Sequence, residues 1–287
     1  FPTRRSSDLA PAKINRFLHI VGQRNDGYHL LQTVFQLISL TDEITLTSST
    51  SPEISRIDGP ANIPPEEDLV VKAARLLQKT TKTNLGCTIK LQKNIPMGAG
   101  LGGGSSDAAS VLWGLNELWD TQLTRADLMK LGLELGADVP FFLFGQNAFA
   151  EGIGEILHPV NLPQTQLLLI YPGVNIPTID VFKSPNLTRN HPAVTMSDFI
   201  GSAHMDQFGS NDCESVVTQK YQEVAEAITW LKQRVPQSNP RMSGSGSSVF
   251  ATVEANLAKE LLNQLPQRWK GFVVRGLNSH PSYNPIS

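Results

Sequence analysis

Residues 95–107, Ile-Pro-Met-Gly-Ala-Gly-Leu-Gly-Gly-Gly-Ser-Ser-Asp, form the stretch of this sequence that is best suited to chemistry. Five of the seven residues from Gly98 to Gly104 are glycine. Glycine has no Cβ, so its backbone N–H group can approach a ligand closely. A helix is predicted directly afterwards, and a helix N-terminus adds unpaired N–H donors and the positive end of the helix dipole. The stretch therefore predicts a site for an anion such as phosphate.

Three kinds of structure are compatible with this glycine-rich loop. A tight turn without a ligand needs one or two glycines, so five disfavour it. A dinucleotide fingerprint would match Gly98-x-Gly100-x-x-Gly103, but it also predicts a second strand and an acidic residue about 20 residues on, where this sequence has another helical pattern. A nucleoside-triphosphate loop fits best. It is not the common P-loop, because Gly-Lys-Ser/Thr is missing from it, so any lysine would come from elsewhere in the chain.

The residues on either side predict a strand before the loop and a helix after it. Residues 87–92 alternate apolar and polar side chains with the period of two that is typical of a strand. Apolar residues recur at helical spacing from Ala108 to Leu118. Ser105 or Ser106 is the predicted N-cap of this helix, which would place Asp107 in its first turn.

A lysine and an asparagine lie close together on a predicted strand over residues 12–21. Strict alternation places Lys13 and Asn15 on one face, together with Phe17 and His19. Lys13 is either a solubility charge on a solvated edge, the usual role of a lone strand lysine, or an ammonium held in a cleft. The strand alone does not decide between the two.

Asp138 is a carboxylate inside an otherwise apolar run over residues 137–144. Burying it as an ion without a partner would cost several kcal/mol. It either caps a neighbouring turn, which aspartate often does, or acts as a catalytic carboxylate beside a lysine from a distant part of the chain. The residues favour the two alternatives equally.

Two other loops contain residues that could bind a ligand. Residues 25–29 have the composition of a turn. At its end, Tyr28 and His29 either pack internally or stack on a flat ligand and hydrogen-bond its edge. Residues 241–248, Arg-Met-Ser-Gly-Ser-Gly-Ser-Ser, resemble a flexible linker in composition. Because they lead straight into a predicted strand, a structured loop near the site is favoured.

Composition excludes several classes of protein. The chain has 287 residues, 40% of them hydrophobic, a length that suits two lobes. Its formal net charge is −2, which argues against a nucleic-acid partner held by a positive field. The two cysteines, Cys87 and Cys213, have no metal-binding spacing, so a reduced, cytoplasmic setting is expected. No apolar run approaches the length of a membrane span.

The remaining helices and strands are predicted from periodicity and turn residues. The first nine residues, Phe-Pro-Thr-Arg-Arg-Ser-Ser-Asp-Leu, are an exception. These nine do not fit the pattern of the rest of the chain, so we interpret them as foreign or misassigned sequence and leave them out of the fold prediction. Segments 48–65 and 183–210 are predicted to be irregular. Helices are predicted over residues 68–79, 124–135, 211–217, 219–234 and 255–265, a short helical or irregular piece over 176–182, and further strands over 43–47, 166–171, 249–253 and 271–275. Thr124 is the predicted N-cap of its helix, because Asp127 three residues on approximates a capping box.

Three of these stretches together identify a family resemblance. The strand with Lys13, the loop Pro96-Met-Gly-Ala-Gly-Leu-Gly-Gly-Gly-Ser-Ser106 and the loop Arg241-Met-Ser-Gly-Ser-Gly resemble the three motifs of the galactokinase, homoserine kinase, mevalonate kinase and phosphomevalonate kinase (GHMP) superfamily. The match is closer still to the branch that phosphorylates a cytidine-diphosphate-linked methylerythritol in non-mevalonate isoprenoid biosynthesis. The features that narrow it are the sequences at residues 11–15, 26–29, 135–140, 172–177 and 210–213.

The resemblance implies an α+β fold of two lobes, the GHMP-kinase fold, with the active site in the cleft between the lobes. Residues 10–156 would form the N-terminal, ATP-binding lobe, and residues 157–287 a C-terminal lobe that completes the substrate site. ATP would be the phosphoryl donor, with Mg²⁺ bridging its β- and γ-phosphates. The protein ligand of the metal is not identified; the Ser105 hydroxyl is a candidate.

The resemblance also assigns roles to individual residues. Asp138 would be the general base and Lys13 its cationic partner. The adenine side of the ATP site would involve the region of Asp68, a position at which the family usually has Asn. The acceptor substrate would be held by Asn15 at its methylerythritol part, by Tyr28 and His29 at the cytidine and by stacking of Phe182. ATP would be bound by Pro96, Met97, Gly98, Ala99, Gly100, Leu101, Gly102, Gly103, Gly104, Ser105, Ser106, Leu69 and Lys93.

Two other functions are kept as alternatives. A sister kinase of homoserine or mevalonate would need no clamp for cytosine, which Tyr28, His29 and Phe182 provide. A non-catalytic sensor of nucleotides or sugars on the same fold would need no base, whereas Lys13 and Asp138 are both present. The expected partners are small molecules, and the expected assembly is a monomer or a weak homodimer.

Overall fold

The computed structural model describes residues 5–283, which form ten strands and nine α-helices in that range. The strands are β1 Arg5–Gln23, β2 His29–Ser49, β3 Ile54–Asp58, β4 Gly86–Gln92, β5 Ala148–Glu151, β6 Ile156–Pro159, β7 Gln166–Tyr171, β8 Arg241–Met242, β9 Val249–Thr252 and β10 Lys270–Leu277. The helices are α1 Leu69–Thr81, α2 Gly103–Leu118, α3 Arg125–Leu135, α4 Val139–Phe144, α5 Thr178–Phe182, α6 Met196–Ile200, α7 Glu214–Lys220, α8 Gln222–Arg234 and α9 Ala255–Asn263. Mixed α and β content of this kind agrees with the predicted fold class.

One sheet runs through both lobes. Its strand order is β3-β4-β2-β10-β7-β9-β8, and β2 additionally pairs with β1 and β5. The pairing is antiparallel except between β3 and β4. Strand β10 is the link between the lobes, because it pairs with β7 along most of its length and with β2 at Gly276 and Leu277. The cleft described below lies on this shared framework.

The N-terminal lobe buries the apolar faces of α1 to α4 against β1, β2 and β4. Helix α2 shows the predicted spacing, since Ala108, Val111, Leu112 and Leu115 are all fully buried. Thr124 accepts a hydrogen bond from the backbone N–H of Asp127 and so caps α3 as predicted. The C-terminal lobe buries a second cluster between β7, β9 and helices α7 to α9.

The predicted start of α2 is wrong. The helix begins at Gly103 and its N-cap is Gly102, with φ 69° in the left-handed region, so neither Ser105 nor Ser106 caps it. Asp107 consequently lies in the second turn and is buried. A glycine can replace a capping side chain here because the close-packed loop before the helix requires positive φ, which glycine adopts without steric cost.

Three expectations about loops and strands are also corrected. Residues 5–9, which were left out of the fold prediction, pair with β2 as the start of β1; residues 1–4 lie outside the described residues. Segment 48–65 contains the strand β3, and segment 183–210 contains α6. Both elements are short and are stabilised by neighbours distant in sequence, so local periodicity does not reveal them.

The alternation predicted along β1 breaks at a β-bulge. The register against β2 shifts between Asn15 and Leu18, and an extra residue in one strand reverses the side-chain alternation beyond it. Lys13, Asn15 and Leu18 therefore line one cavity. Phe17 instead packs with Phe149 and Phe199 in another cluster.

The two lobes are also joined by a buried side chain. Asn147 accepts a hydrogen bond from the Leu37 backbone N–H (2.9 Å) and donates to the Leu277 carbonyl (2.8 Å) and to the Asn278 side chain (2.9 Å). It thus connects the middle of β2 with the end of β10. No helix within residues 5–283 is both long enough and apolar enough to cross a membrane.

We predict that Asn147→Ala lowers the free energy of unfolding by about 2–6 kcal/mol, because two buried backbone groups lose their partners at about 1–3 kcal/mol each. Urea unfolding followed by circular dichroism measures this. Asn186→Ala, at an exposed asparagine, is the control and should change stability by less than about 0.5 kcal/mol. Equal stabilities of the two variants would contradict the role of Asn147.

Candidate active site

A cleft of about 510 Å³ lies where the two lobes meet. The N-terminal lobe contributes Lys13, Asn15 and Asp138, and the C-terminal lobe contributes Thr178, Phe182, Gly244 and Ser245. The glycine-rich loop forms the wall between them. Residues predicted to bind ATP that line the cleft are Leu69, Lys93, Pro96, Met97, Gly98, Ala99, Gly100, Leu101, Gly102, Gly103, Gly104 and Ser105. Ser106 is fully buried behind them.

Apolar side chains anchor the glycine-rich loop from below. Ile95, Ala99 and Leu101 are buried in a cluster that also contains residues of β1 and β2 from one lobe and of β7, β9 and β10 from the other. The loop therefore sits over the junction of the lobes. Since its position depends on both lobes, the two halves of the cleft are positioned relative to each other by the same cluster.

The carbonyl groups of the loop are bound to the protein. The Ala99 carbonyl accepts from the Ser248 N–H (3.0 Å), the Gly100 carbonyl from the Ser243 hydroxyl (3.0 Å), and the Leu101 carbonyl from the Lys13 N–H (2.9 Å). Within residues 5–283, no acceptor is found for the N–H groups of residues 100–102. A loop with bound carbonyls and free N–H groups is suited to an anion.

Lys13 and Asp138 meet beside this loop. The Lys13 ammonium lies 3.4 Å from Asp138 Oδ2 and donates a 2.7 Å hydrogen bond to Asn15 Oδ1. It also lies 5.0 Å from the centre of the Phe35 ring. The Lys13 side chain is only 5% exposed, so it is not a solvated edge lysine. Asp138 precedes α4 without a side-chain capping bond and remains 33% exposed toward the cleft.

The second glycine- and serine-rich loop completes this part of the site, as its sequence predicted. Ser243 accepts a hydrogen bond from the Asn15 N–H (3.3 Å), and Asn211 donates to the carbonyls of Met242 (2.9 Å) and Gly244 (2.8 Å). Ser245 shares a 2.8 Å hydrogen bond with Thr178 at the start of α5. Thr178 and Ser245 line the cleft but were not predicted, because a single hydroxyl in an irregular segment gives no pattern.

Lys93 lines the cleft in an ion cluster of its own. Its ammonium binds Asp107 (2.6 Å) and Asp42. Burial lowers the pKa of Lys93, but the two carboxylates outweigh it, so the pKa is raised and the ammonium stays charged. Burial raises the pKa of Asp107 well above its usual range. The cluster fixes the junction between β4 and the glycine-rich loop. Any contact of Lys93 with ATP would therefore be made while its ammonium is bound to these two carboxylates.

The predicted adenine side is built around the start of α1. Asp68 accepts from the Val70 N–H and so caps α1 (3.1 Å), and it also pairs with Arg56. The Arg56 guanidinium further donates to the carbonyls of Pro60 (3.1 Å) and Ile63 (2.8 Å). Asp68 thus organises the loop that covers this end of the cleft, where Pro60, Ile63 and Leu69 also line the cavity.

Of the residues predicted to bind the acceptor, two meet directly. The His29 and Phe182 rings lie 5.2 Å apart at 47°. His29 Nε2 accepts a 3.0 Å hydrogen bond from Arg189 Nε, and burial together with the Arg189 charge lowers the pKa of His29. Neither Tyr28 nor His29 belongs to the cavity lining, whereas Phe182 does. Tyr28 is 59% exposed, so the structure does not bring it into the cleft, and His29 lies beside the cleft through its contact with Phe182. Arg189 was not predicted.

Comparisons with known proteins agree with this geometry. The family models "GHMP kinases N terminal domain" and "GHMP kinases C terminal" match residues 68–146 and 200–271. The chain is 52% identical to a 4-diphosphocytidyl-2-C-methyl-D-erythritol kinase of Polynucleobacter asymbioticus, with 97% of this chain and 95% of that protein covered.

Solved structures give the same result. The chain is similar to the crystal structure of a 4-(cytidine 5'-diphospho)-2C-methyl-D-erythritol kinase, at a TM-score of 0.79 and 33% identity, covering 95% of this chain and 100% of that one. It also resembles a homoserine kinase from Cytophaga hutchinsonii, at a TM-score of 0.68 and 17% identity, covering 96% and 95%. The second similarity shows the fold alone.

We predict that Gly100→Ala destabilises the protein by roughly 2 kcal/mol or more. Its φ of 74° lies in the left-handed region, which costs an L-residue about 1–2 kcal/mol, and a Cβ would collide with the Ser243 carbonyl oxygen. Gly104→Ala is the matched control in the same loop. There a Cβ would meet only Leu69 Cδ1 at 3.7 Å, and alanine favours the helix by about 0.5–1 kcal/mol. Urea unfolding of both variants checks this; equal losses would contradict it.

Proposed function

The chain belongs to the GHMP kinase family, and we propose that within it the protein transfers the γ-phosphoryl group of ATP to the 2-hydroxyl of 4-diphosphocytidyl-2-C-methyl-D-erythritol. The products are ADP and the 2-phosphate, a step of non-mevalonate isoprenoid biosynthesis. The single observation that carries the proposal is the contact of the Lys13 ammonium with the Asp138 carboxylate beside the glycine-rich loop. The identity of 52% to a kinase so named supports the choice of substrate.

The glycine-rich loop would hold the triphosphate of ATP. Its N–H groups at residues 100–102 have no acceptor within the described chain, and the N-terminus of α2 comes directly after them. Both features favour a polyanion. Because the loop is anchored from both lobes, it would hold the γ-phosphate at a fixed position, as in-line transfer requires.

Asp138 would accept the proton of the attacking hydroxyl. The acceptor is a tertiary alcohol, which is a poor nucleophile until its proton is removed. The Asp138 carboxylate faces the cleft and has no capping bond that would occupy it. Lys13 lies on one side of this carboxylate and Asn15 holds the ammonium in place. The ammonium would favour the ionised base and offset charge that develops on the phosphoryl oxygens.

Mg²⁺ is expected as the companion of ATP, and the donors on the cleft wall suit it. Mg²⁺ takes oxygen ligands and in kinases is bound largely through substrate phosphates. Ser105 and Asp138 bring a hydroxyl and a carboxylate to the wall. The Ser105 hydroxyl is the protein ligand that we favour, and the ion would neutralise charge on the β- and γ-phosphates.

The acceptor would be recognised at the other end of the cleft. His29 and Phe182 would bind and stack on the cytosine, Tyr28 would close over it from the exposed rim, and Asn15 would contact the methylerythritol part. A homoserine or mevalonate kinase would have no use for this ring pair. A sensor that only binds ligand would release no ADP. Measuring ADP release with the cytidine substrate, homoserine and mevalonate distinguishes all three functions.

The cellular location and the partners that we propose for the protein follow from its proposed substrates. We place it in the cytoplasm, where ATP is supplied. ATP and the cytidine-diphosphate-linked alcohol are its proposed partners, without nucleic acid or membrane. A monomer or a weak homodimer is the proposed assembly.

We predict that Asp138→Asn lowers kcat by about 10²–10⁴-fold, the usual contribution of a general base, and changes the Kd for ATP by less than about twofold. Asparagine keeps the size of the side chain but cannot accept the proton. Steady-state kinetics and calorimetric titration with ATP measure the two quantities. Asp58→Asn, at an exposed carboxylate, is the control. Near-normal turnover of Asp138→Asn would disprove the assignment of the base.

We predict that Lys13→Met lowers kcat by about 10²-fold or more without lowering the melting temperature. Methionine keeps an aliphatic chain against Phe35, and loss of the ammonium also removes the cost of burying it, while Asp138 stays partly hydrated. Thermal unfolding and kinetics with the cytidine substrate separate the two effects. Kinetics like those of the wild type would instead leave Lys13 with a structural role in the loop.

A further inference from the structure

Arg189 connects the two parts of the predicted cytidine site. Its Nε donates to His29 Nε2 (3.0 Å), while Nη2 donates to the carbonyls of Phe182 (3.1 Å) and Ser184 (2.8 Å) and Nη1 to that of Leu187 (3.0 Å). Four acceptors around one guanidinium fix its orientation, because the fork of donors is planar and rigid. One side chain thus holds the imidazole and the backbone that carries the Phe182 ring.

The segment that carries Arg189 is itself anchored. Leu187 is buried in the core of the C-terminal lobe, and the His191 N–H donates to the Ile20 carbonyl of β1 (2.9 Å). The His191 ring also stacks on that of His19, with centroids 3.5 Å apart. Arg189 lies between these two fixed points, so it can impose an orientation on His29, which lies at the start of β2.

The hydrogen bond from Arg189 decides which nitrogen of His29 carries the proton. Arginine donates only and is not deprotonated in proteins, so His29 Nε2 must be the acceptor. In a neutral imidazole the other nitrogen then carries the hydrogen. Burial and the charge of Arg189, in that order, lower the pKa of His29 and keep the ring neutral. His29 therefore offers Nδ1 as a donor and nothing else.

A donor at this position distinguishes cytosine from uracil. On its pairing edge, cytosine presents N3 as an acceptor, whereas uracil presents N3–H as a donor. A free histidine could adapt to uracil by moving its proton to Nε2, which would leave Nδ1 as an acceptor. Arg189 prevents that change. Opposing a donor with a donor leaves both polar groups unpaired once the base covers them, which is how a site rejects a close analogue strongly.

Resting on the proposed function, we propose that Arg189 is a positioning residue that locks the Nδ1–H tautomer of His29 and thereby selects the cytidine substrate over its uridine counterpart. Arg189 acts through His29 and the Phe182 backbone. Phosphoryl transfer itself is assigned to the glycine-rich loop, Lys13 and Asp138. Loss of Arg189 should therefore affect acceptor selection far more than the use of ATP.

The first test measures selection. For the full-length enzyme, kcat/KM is determined with 4-diphosphocytidyl-2-C-methyl-D-erythritol and with its uridine analogue. In Arg189→Gln, the ratio of the two values should fall at least tenfold, with KM for ATP changed less than twofold. Lys183→Gln is the matched control, since it removes one positive charge from a residue of the same segment, and it should keep the ratio. An unchanged ratio in Arg189→Gln would overturn the proposal.

The second test needs no turnover, so it separates this inference from the proposed function. In ¹⁵N-histidine-labelled protein without substrate, His29 is identified through the signal lost in His29→Asn. The wild type should show Nδ1–H with Nε2 unprotonated at pH 7, and Arg189→Gln should show Nε2–H and a higher titration midpoint. The same tautomer and midpoint in both proteins would overturn the proposal. If Arg189→Gln does not fold, Arg189→Lys, which keeps the charge but lacks the fork, should show the Nε2–H tautomer without the rise in titration midpoint.

Discussion

The site depends on one buried cation. The Lys13 ammonium is almost fully withdrawn from water, and a buried charge is tolerated only where it is paired and hydrogen-bonded. Asn15 and Asp138 meet that requirement from a strand and from the start of a helix. The backbone of Lys13 also holds the Leu101 carbonyl. Strand, glycine-rich loop and carboxylate are therefore positioned by the same residue, and the donor phosphate and the acceptor hydroxyl would meet where its charge is least screened.

The glycine-rich loop is rigid because its carbonyls and its apolar side chains are both bound. Serines of the second loop bind two of its carbonyls, and Ile95, Ala99 and Leu101 are buried where the lobes join. A phosphate site made from backbone N–H groups needs such support, because free amides stabilise an anion only when their direction is fixed beforehand. Gly98, Gly100 and Gly102 all have positive φ. The glycines are therefore needed for the conformation of the loop as well as for the close approach of a ligand to its backbone.

Local patterns in the sequence predicted much of the fold and the two loops of the site, but not how distant residues meet. The helical spacing of α2 and the Thr124 cap are confirmed because they depend on residues within a turn or two. The bulge after Asn15 was missed, since it arises from pairing with β2, and periodicity in one strand carries no information on register. The partners of Lys93 and the bonds of Arg189 were missed for the same reason: each joins residues that are far apart in the chain.

The donor and acceptor halves of the cleft leave different traces in sequence. The two family models match residues 68–146 and 200–271, which include the glycine-rich loop, Asp138 and the second loop. His29, Phe182 and Arg189 lie outside both ranges, as does Lys13 on β1. A phosphate is the same in every ATP-dependent kinase, so motifs shared by a whole family can describe its site. The acceptor differs between kinases, so the residues that we propose to choose it can occupy segments that the shared motifs do not describe. Selection of the acceptor would then depend on contacts such as that of Arg189 with His29, whereas membership of the family specifies only the chemistry of the donor.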